Sequence, residues 1–393
     1  MIVTAWARCF RSGLALVCGL GAAAAYTLWQ LVVEQKFFLH TVFVGRISGS
    51  AAQRLPLGYW NVVRLKLTMG WQQLRGEPEA LKDYQFKVYK TIRERLQARG
   101  VRPGTVTAVQ EYQAGDVDPR TFYREHVKTG VPAVIRGFHN GDVSRFRFEA
   151  LAEQFPQVVA QAVDTAEEKI VSVRLRELVR DRGLRYEPLQ ALLDQDHELR
   201  SFFDADRAGT YFPVLGLPSR PMASFLILGL GKGLAAEFHC EESANWYMAV
   251  SGSKRWTLVE AEHTWLMYAA ARGDGMRRFS EFKAGPDGTP QDSERFALFD
   301  YAPRLEVDLH PGDVLVFPAW MWHKTINLDD EGLGMTLRFA PLARMSNRYF
   351  RALQMISPDF WRSIVQVVGG KIRGDTSGLE EAGGFNEQEL ALR

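Results

Sequence analysis

The sequence predicts a mostly β domain, a jelly roll or small barrel with helices packed around it, preceded by a transmembrane helix. Three observations carry this. His239 and Glu241 stand two apart in FHCEESANWYMAVSGSK (238–254), and a lone aromatic-flanked histidine, His323, follows far downstream in PAWMWHKTIN. In an extended strand residues i and i+2 point the same way, so His239 and Glu241 converge while Cys240 turns away, and His323 comes from a neighbouring strand. The strands around these residues set polar side chains on one side and large apolar ones on the other. Finally, the 22 residues from Ser12 to Val33 carry no charge.

At 393 residues the chain has room for one large domain plus an appendage, or for two domains. Its hydrophobic fraction of 46% and charged fraction of 24% are those of a folded globular protein, and a net charge of +2 argues against a dedicated nucleic-acid binder. Charge is unevenly spread. From Glu34 to Arg99, 12 Lys and Arg stand against 5 Asp and Glu, a net of +7 that suits an anionic membrane surface. Of the 3 cysteines, Cys9 and Cys18 lie in or beside the apolar run and only Cys240 remains elsewhere. No disulfide is possible within that remainder, which agrees with a reducing compartment.

Taken in order, residues 1–36 read as a membrane anchor, because Ser12–Val33 would span ~33 Å as a helix, enough for a bilayer core. The alternatives are a buried core helix and a cleaved signal peptide with Ala23-Ala24-Ala25 as its small-residue site; the apolar run continues past those alanines to Val33. Arg8 and Arg11 before the run and Lys36, Arg46 and Arg54 after it barely set an orientation. The longer basic block favours a cytoplasmic C-terminal domain. Residues 37–103 read as a helical membrane-proximal region. Within it YWNVVRLKLTMGWQQL is either an interfacial helix or an amphipathic helix packed on the next domain, and a clearer helix runs from near Pro78 to Gly100.

The turn Val101-Arg102-Pro103-Gly104 makes a boundary, and residues 104–345 form the main domain. Asp118-Pro119 caps a short helix, GVPAVIRGF is a strand ended by Gly137, and Met222–Leu230 (MASFLILGL) is a buried strand turned by Gly231 and Gly233. If the strand runs unbroken from His239, then Glu241, Asn245 and Tyr247 share its face, with Trp246, Met248 and Val250 opposite. Thr325 and Asn327 share the face of His323, and Thr336 and Arg338 oppose Met335, Leu337 and Phe339. Buried polar groups left unpaired cost several kcal/mol, so a polar-lined interior implies an occupied pocket. Residues 346–393 read as a helical segment followed by a flexible tail.

One histidine, a carboxylate two residues on and a distant second histidine make the set that holds non-haem Fe(II) with one face open: His239, Glu241 and His323. Lys254 follows His239 by 15 residues, Asn245 lies between them, and His310-Pro311-Gly312-Asp313 leads into VLVFP and WMWH. On these residues the chain resembles the JmjC-type, cupin-like family of Fe(II)- and 2-oxoglutarate-dependent oxygenases, within it the asparaginyl-hydroxylase branch. Pro132 and Arg136 resemble the opening of that domain. The resemblance covers residues 104 to 340, is concentrated in the two metal segments, and implies a double-stranded β-helix.

What the resemblance implies is 2-oxoglutarate-coupled hydroxylation using O2, with His239, Glu241 and His323 on the metal and no catalytic residue beyond those ligands. Lys254 would pair with the distal carboxylate of 2-oxoglutarate, and Asn245, Asn327, Arg338 and Tyr211 are further candidate cosubstrate contacts. Glu241 stands where the hydroxylase branch has Asp, Arg338 where the family often has Asn, and Ala236 where the hydroxylase has a cosubstrate-binding Thr; Tyr211 is the candidate replacement. In that family a C-terminal helical piece often serves dimerisation, which adds a homodimer to the partners. Two other readings stand beside this one. The first is a non-catalytic cupin-like binding or scaffold protein at the membrane. The second is a metal-dependent cupin enzyme without a cosubstrate, which has no use for Lys254.

Overall fold

The computed structural model describes residues 86–339, apart from 87–88, 91–92, 95, 99, 140, 142–145, 165–168, 179–183, 187–204, 215, 269–276 and 286–288. The expected anchor, most of the membrane-proximal region and the segment 346–393 lie outside the described residues. Among the described residues no helix is long and apolar enough to cross a membrane.

Strands dominate. Before residue 190 come β1 (Val106–Ala108), β2 (Gln110–Gln113), β3 (Ala133–Arg136), β4 (Val159–Asp164), β5 (Lys169–Arg174) and β6 (Leu184–Tyr186). After it come β7 (Ala223–Leu230), β8 (Ala235–Glu241), β9 (Ala244–Ser251), β10 (Lys254–Val259), β11 (Arg277–Phe279), β12 (Arg304–Leu309), β13 (Val314–Phe317), β14 (Trp322–Asn327) and β15 (Glu331–Phe339). They form a small sheet of 6 strands, ordered β1-β12-β10-β14-β8-β11, and a large sheet of 9, ordered β2-β3-β13-β9-β15-β7-β6-β4-β5. From β7 to β10, and again from β12 to β15, the chain changes sheet at every step. This is the winding of a jelly roll, as the sequence predicts.

Period-two alternation sorts the side chains. On β15, Leu333, Met335, Leu337 and Phe339 join Leu226 and Leu228 of β7 and Trp246, Met248 and Val250 of β9 in one core. Helices Pro119–Phe122 and Phe148–Gln154 cover that outer face through Phe122, Phe148 and Leu151. A second core lies on the outer face of the small sheet, where Phe238, Cys240 and Trp322 meet Tyr89, Leu96 and Phe299. Between the sheets Tyr247, Ala249, Trp256, Leu258, Val307 and Leu315 form a third. Fully burying such a side chain is worth about 1.5–3 kcal/mol. The interior is therefore polar only in part, with an apolar plug beside the polar-walled cavity.

Two departures from plain alternation shape the interior. The strand beginning at Ala235 breaks at Glu242-Ser243, so β8 and β9 belong to different sheets rather than to one unbroken strand. His239 and Glu241 enter the interior from the small sheet, Asn245 and Tyr247 from the large one. Secondly, β14 and β8 pair with a register shift: Ile326 faces Ala235 and Thr325 faces Ala236, but His323 faces His239.

Sequence signals at the element ends are realised as expected. Gly100 ends the first helix at φ 63°, and the Asp118 carboxylate accepts from the Thr121 amide at 2.8 Å with Pro119 beginning the helix. Gly252 takes φ 67°, and a Cβ there would collide with the Glu331 carbonyl, so only glycine fits the turn that delivers Lys254. In the turn before β13, Asp313 accepts from the amides of Gly137 and His310 at 3.0 Å and from Arg136 at 2.6 Å, tying it to β3.

A buried histidine beneath β2 supplies a pH prediction. His126 is 2% exposed, its Nδ1–H donates to the Val131 carbonyl at 3.3 Å, and its Nε2 accepts from the Tyr112 hydroxyl at 2.8 Å. Burial lowers its pKa from the ordinary 6.5. The unfolded chain then holds more protons than the native one in the window just below 6.5, so this contribution is intact above that value and lost as pH falls through the folded pKa. The urea midpoint should drop between about pH 7.5 and about pH 5.5 by more in the wild type than in His126→Gln.

Candidate metal centre

β8 and β14 lie side by side, and the shifted register puts the His239 and His323 rings 4.1 Å apart, centroid to centroid. Each ring is steadied by its own backbone. Nδ1–H of His239 donates to the Glu237 carbonyl at 2.8 Å, and that of His323 to the Met321 carbonyl at 3.0 Å. A carbonyl only accepts, so both neutral rings carry the proton on Nδ1 and keep the lone pair on Nε2. Metal-ligating histidines are held in this way. Trp256 stacks beside His323 at 5.8 Å and Phe279 beside His239 at 5.9 Å.

Glu241, 3% exposed, ends β8 and lines the same cavity as the two histidines. Its Oε2 pairs with Nη2 of Arg338, which comes from β15 in the other sheet. Among the described residues no three His, Cys, Asp or Glu side chains stand together as a metal-binding group, and the carboxylate expected as third ligand is engaged at Oε2 by Arg338. The donor types still fit the metal that the resemblance implies. Two imidazoles with the lone pair on Nε2 and one carboxylate wall a single cavity, and a ligating carboxylate ordinarily keeps a hydrogen-bonding partner of its own.

Lys254 opens β10 with its side chain buried and its ammonium 5.9 Å from the centre of the Tyr247 ring. Room for both is made on β15. A Cβ at Gly332 would collide with Cε of Lys254 and Oδ1 of Asn327, and one at Gly334 with the Tyr247 hydroxyl. Four buried polar atoms of residues on the cavity wall, Asn245 Oδ1, Tyr247 Oη, Trp256 Nε1 and Arg338 Nε, have no hydrogen-bond partner among the described residues. Each such group costs about 1–3 kcal/mol to bury. Their gathering in one cavity marks it as shaped for a polar guest. Burial also pushes the Tyr247 hydroxyl pKa up, which keeps it a neutral donor.

Seven of the eight residues singled out from sequence thus wall one cavity: His239, Glu241, His323, Lys254, Asn245, Asn327 and Arg338. The Asn327 amide donates to the Gly229 and Gly231 carbonyls at 2.9 and 3.2 Å, tying β14 to the end of β7, and Asn245 Nδ2 donates to the Ser243 carbonyl at 3.1 Å. Tyr211 is a correction. It does not line the cavity; it follows helix Ala205–Thr210 on the outer face of the large sheet and packs on Phe122, Phe138 and Trp246. The sheet itself separates its ring from the interior. His310 sits at Ser253, its Nδ1 3.1 Å from Oγ, outside the cavity. Trp256, Gly332 and Gly334 are site residues that sequence reasoning missed. Period two from Lys254 reaches Trp256, and period two back from Arg338 and Thr336 reaches both glycines.

Residues 191–353 match the family model of the cupin-like domain. The cupin-like stretch takes in every strand from β7 to β15, and with them all the residues that wall the cavity. Strands β1 to β6 precede it. The jelly-roll winding and the polar cavity therefore belong to the same stretch of chain.

Proposed function

We propose that this cavity is the active site of an Fe(II)- and 2-oxoglutarate-dependent oxygenase of the JmjC type, a hydroxylase of a protein side chain, a small metabolite or a lipid. The observation that supports it most is the pair of adjacent histidines, each donating Nδ1–H to its own backbone, in one cavity with a buried carboxylate and a buried lysine. His239, Glu241 and His323 would hold the metal. When bound, Fe(II) with 2-oxoglutarate and O2 supplies the oxidising power to hydroxylate an unactivated C–H bond.

The chain's own residues bind, orient and exclude water. Lys254 offers an ammonium to the distal carboxylate of the cosubstrate, with the neutral Tyr247 hydroxyl reaching in from the facing wall. Trp256 and Phe317 shield the buried His323 with apolar rings, and Phe279 stacks beside the half-buried His239. The proposal includes attachment to a membrane through residues 12–33, with the domain on the cytoplasmic side where both Fe(II) and 2-oxoglutarate are supplied.

The test is anaerobic titration of the Fe(II)-loaded protein with 2-oxoglutarate, followed by succinate release on admitting air. A charge-transfer absorbance band that saturates with 2-oxoglutarate is the expected result. Bound iron without such a band replaces the oxygenase with a cupin-like scaffold.

A further inference from the structure

Arg338 carries more than its place on the cavity wall suggests. It lies on β15, paired across the large sheet with Asn245 of β9 and Ala223 of β7, yet its guanidinium crosses the interior to Glu241 at the end of β8 in the small sheet. The two side chains are 14% and 4% exposed, so the ion pair is largely desolvated. The guanidinium also lies 4.9 Å from the centre of the Phe225 ring, on the β7 side. A planar cation set over an aromatic ring and ion-paired with one carboxylate oxygen favours one orientation of that carboxylate.

We infer that Arg338 is a positioning residue for Glu241, fixing the carboxylate that completes the two-histidine site; this rests on the metal-centre reading above. Glutamate has three side-chain torsions, and two of its neighbours in function, His239 and His323, are already fixed by backbone carbonyls. Glu241 has Arg338 in that role. An arginine ion-paired with Oε2 narrows the carboxylate's orientations before any metal arrives, which lowers the ordering cost of binding. Contact with the cosubstrate is then a role for Lys254 and not for Arg338.

The experiment uses the full chain and Co(II) alone as probe, followed by its d–d absorbance, with 2-oxoglutarate added afterwards to the Co(II)-saturated protein. Arg338→Ala should weaken Co(II) by about 10- to 100-fold and alter the d–d spectrum, with 2-oxoglutarate affinity of the saturated protein changed little. Arg338→Lys, which keeps the charge, should restore part of the loss. Arg338→Gln serves if the alanine variant does not fold, and should show the same weakening. Unchanged Co(II) affinity with weakened 2-oxoglutarate would overturn the inference, making Arg338 a cosubstrate contact while the metal centre stands. Tighter Co(II) binding also overturns it, because Arg338 would then be withholding Glu241 from the metal. Wild-type protein that takes up no Co(II) removes the metal centre and the inference together.

Discussion

His239→Ala and His323→Ala should each abolish Fe(II) binding. Removing a residue that merely supports a ligand costs about 10- to 100-fold in metal affinity, so removing a ligand outright should cost more. With one histidine gone, the cavity keeps one imidazole and one carboxylate, too few for a facial site. Glu241→Ala should weaken binding strongly for the same reason. Metal titration of the purified variants is the direct check, and thermal unfolding supplies a second. A ligand that binds only the native state raises the midpoint, so Fe(II) should stabilise the wild type and leave both histidine variants unmoved. Full iron occupancy in the His323 variant would place the metal elsewhere, with His310 the first residue to test.

The second large effect is expected at Lys254. A charge-assisted hydrogen bond between its ammonium and the distal carboxylate of 2-oxoglutarate is worth roughly 1.5–3 kcal/mol, or about 10- to 150-fold in affinity. Lys254→Ala should lose that much while Fe(II) affinity stays nearly constant, because the lysine is no ligand. Gly332→Ala provides an independent route to the same defect. Its new methyl group would meet Lys254 Cε and Asn327 Oδ1. Displacing the ammonium should weaken 2-oxoglutarate without touching a metal ligand. Equal 2-oxoglutarate affinity in the wild type and both variants would remove Lys254 from the cosubstrate site.

Much of this site is legible along the chain, because a strand's period of two assigns each residue to a face. That is how His239 and Glu241, or His323, Thr325 and Asn327, can be placed on a common side before any fold is known. A period carries no information on which sheet a strand joins. The break at Glu242-Ser243 sends β8 and β9 to opposite walls, so residues that would share one face of a single strand meet across a cavity instead. Glu241 and Arg338 look like two separate departures in sequence; their contact is a property of two sheets closing on each other. Tyr211 fails for a related reason. Its residue type suits a carboxylate, but the sheet lies between its ring and the cavity, and no local pattern announces that.

The irregular pairing of β8 with β14 makes the meeting of the two imidazoles in this chain a question of odd and even. In a regular antiparallel ladder, each step forward on one strand is a step back on the other. Counting from Thr325 opposite Ala236, the residue opposite His323 would be Phe238. One surplus residue in β8 carries the count on to His239, so Phe238 goes to the outer core and the imidazole goes inward. Inside and outside exchange at every added or removed residue and return at every second one. The spacing between Ala236 and His239 can therefore change by two and keep the imidazole facing inward, whereas a change of one would present a different side chain to His323.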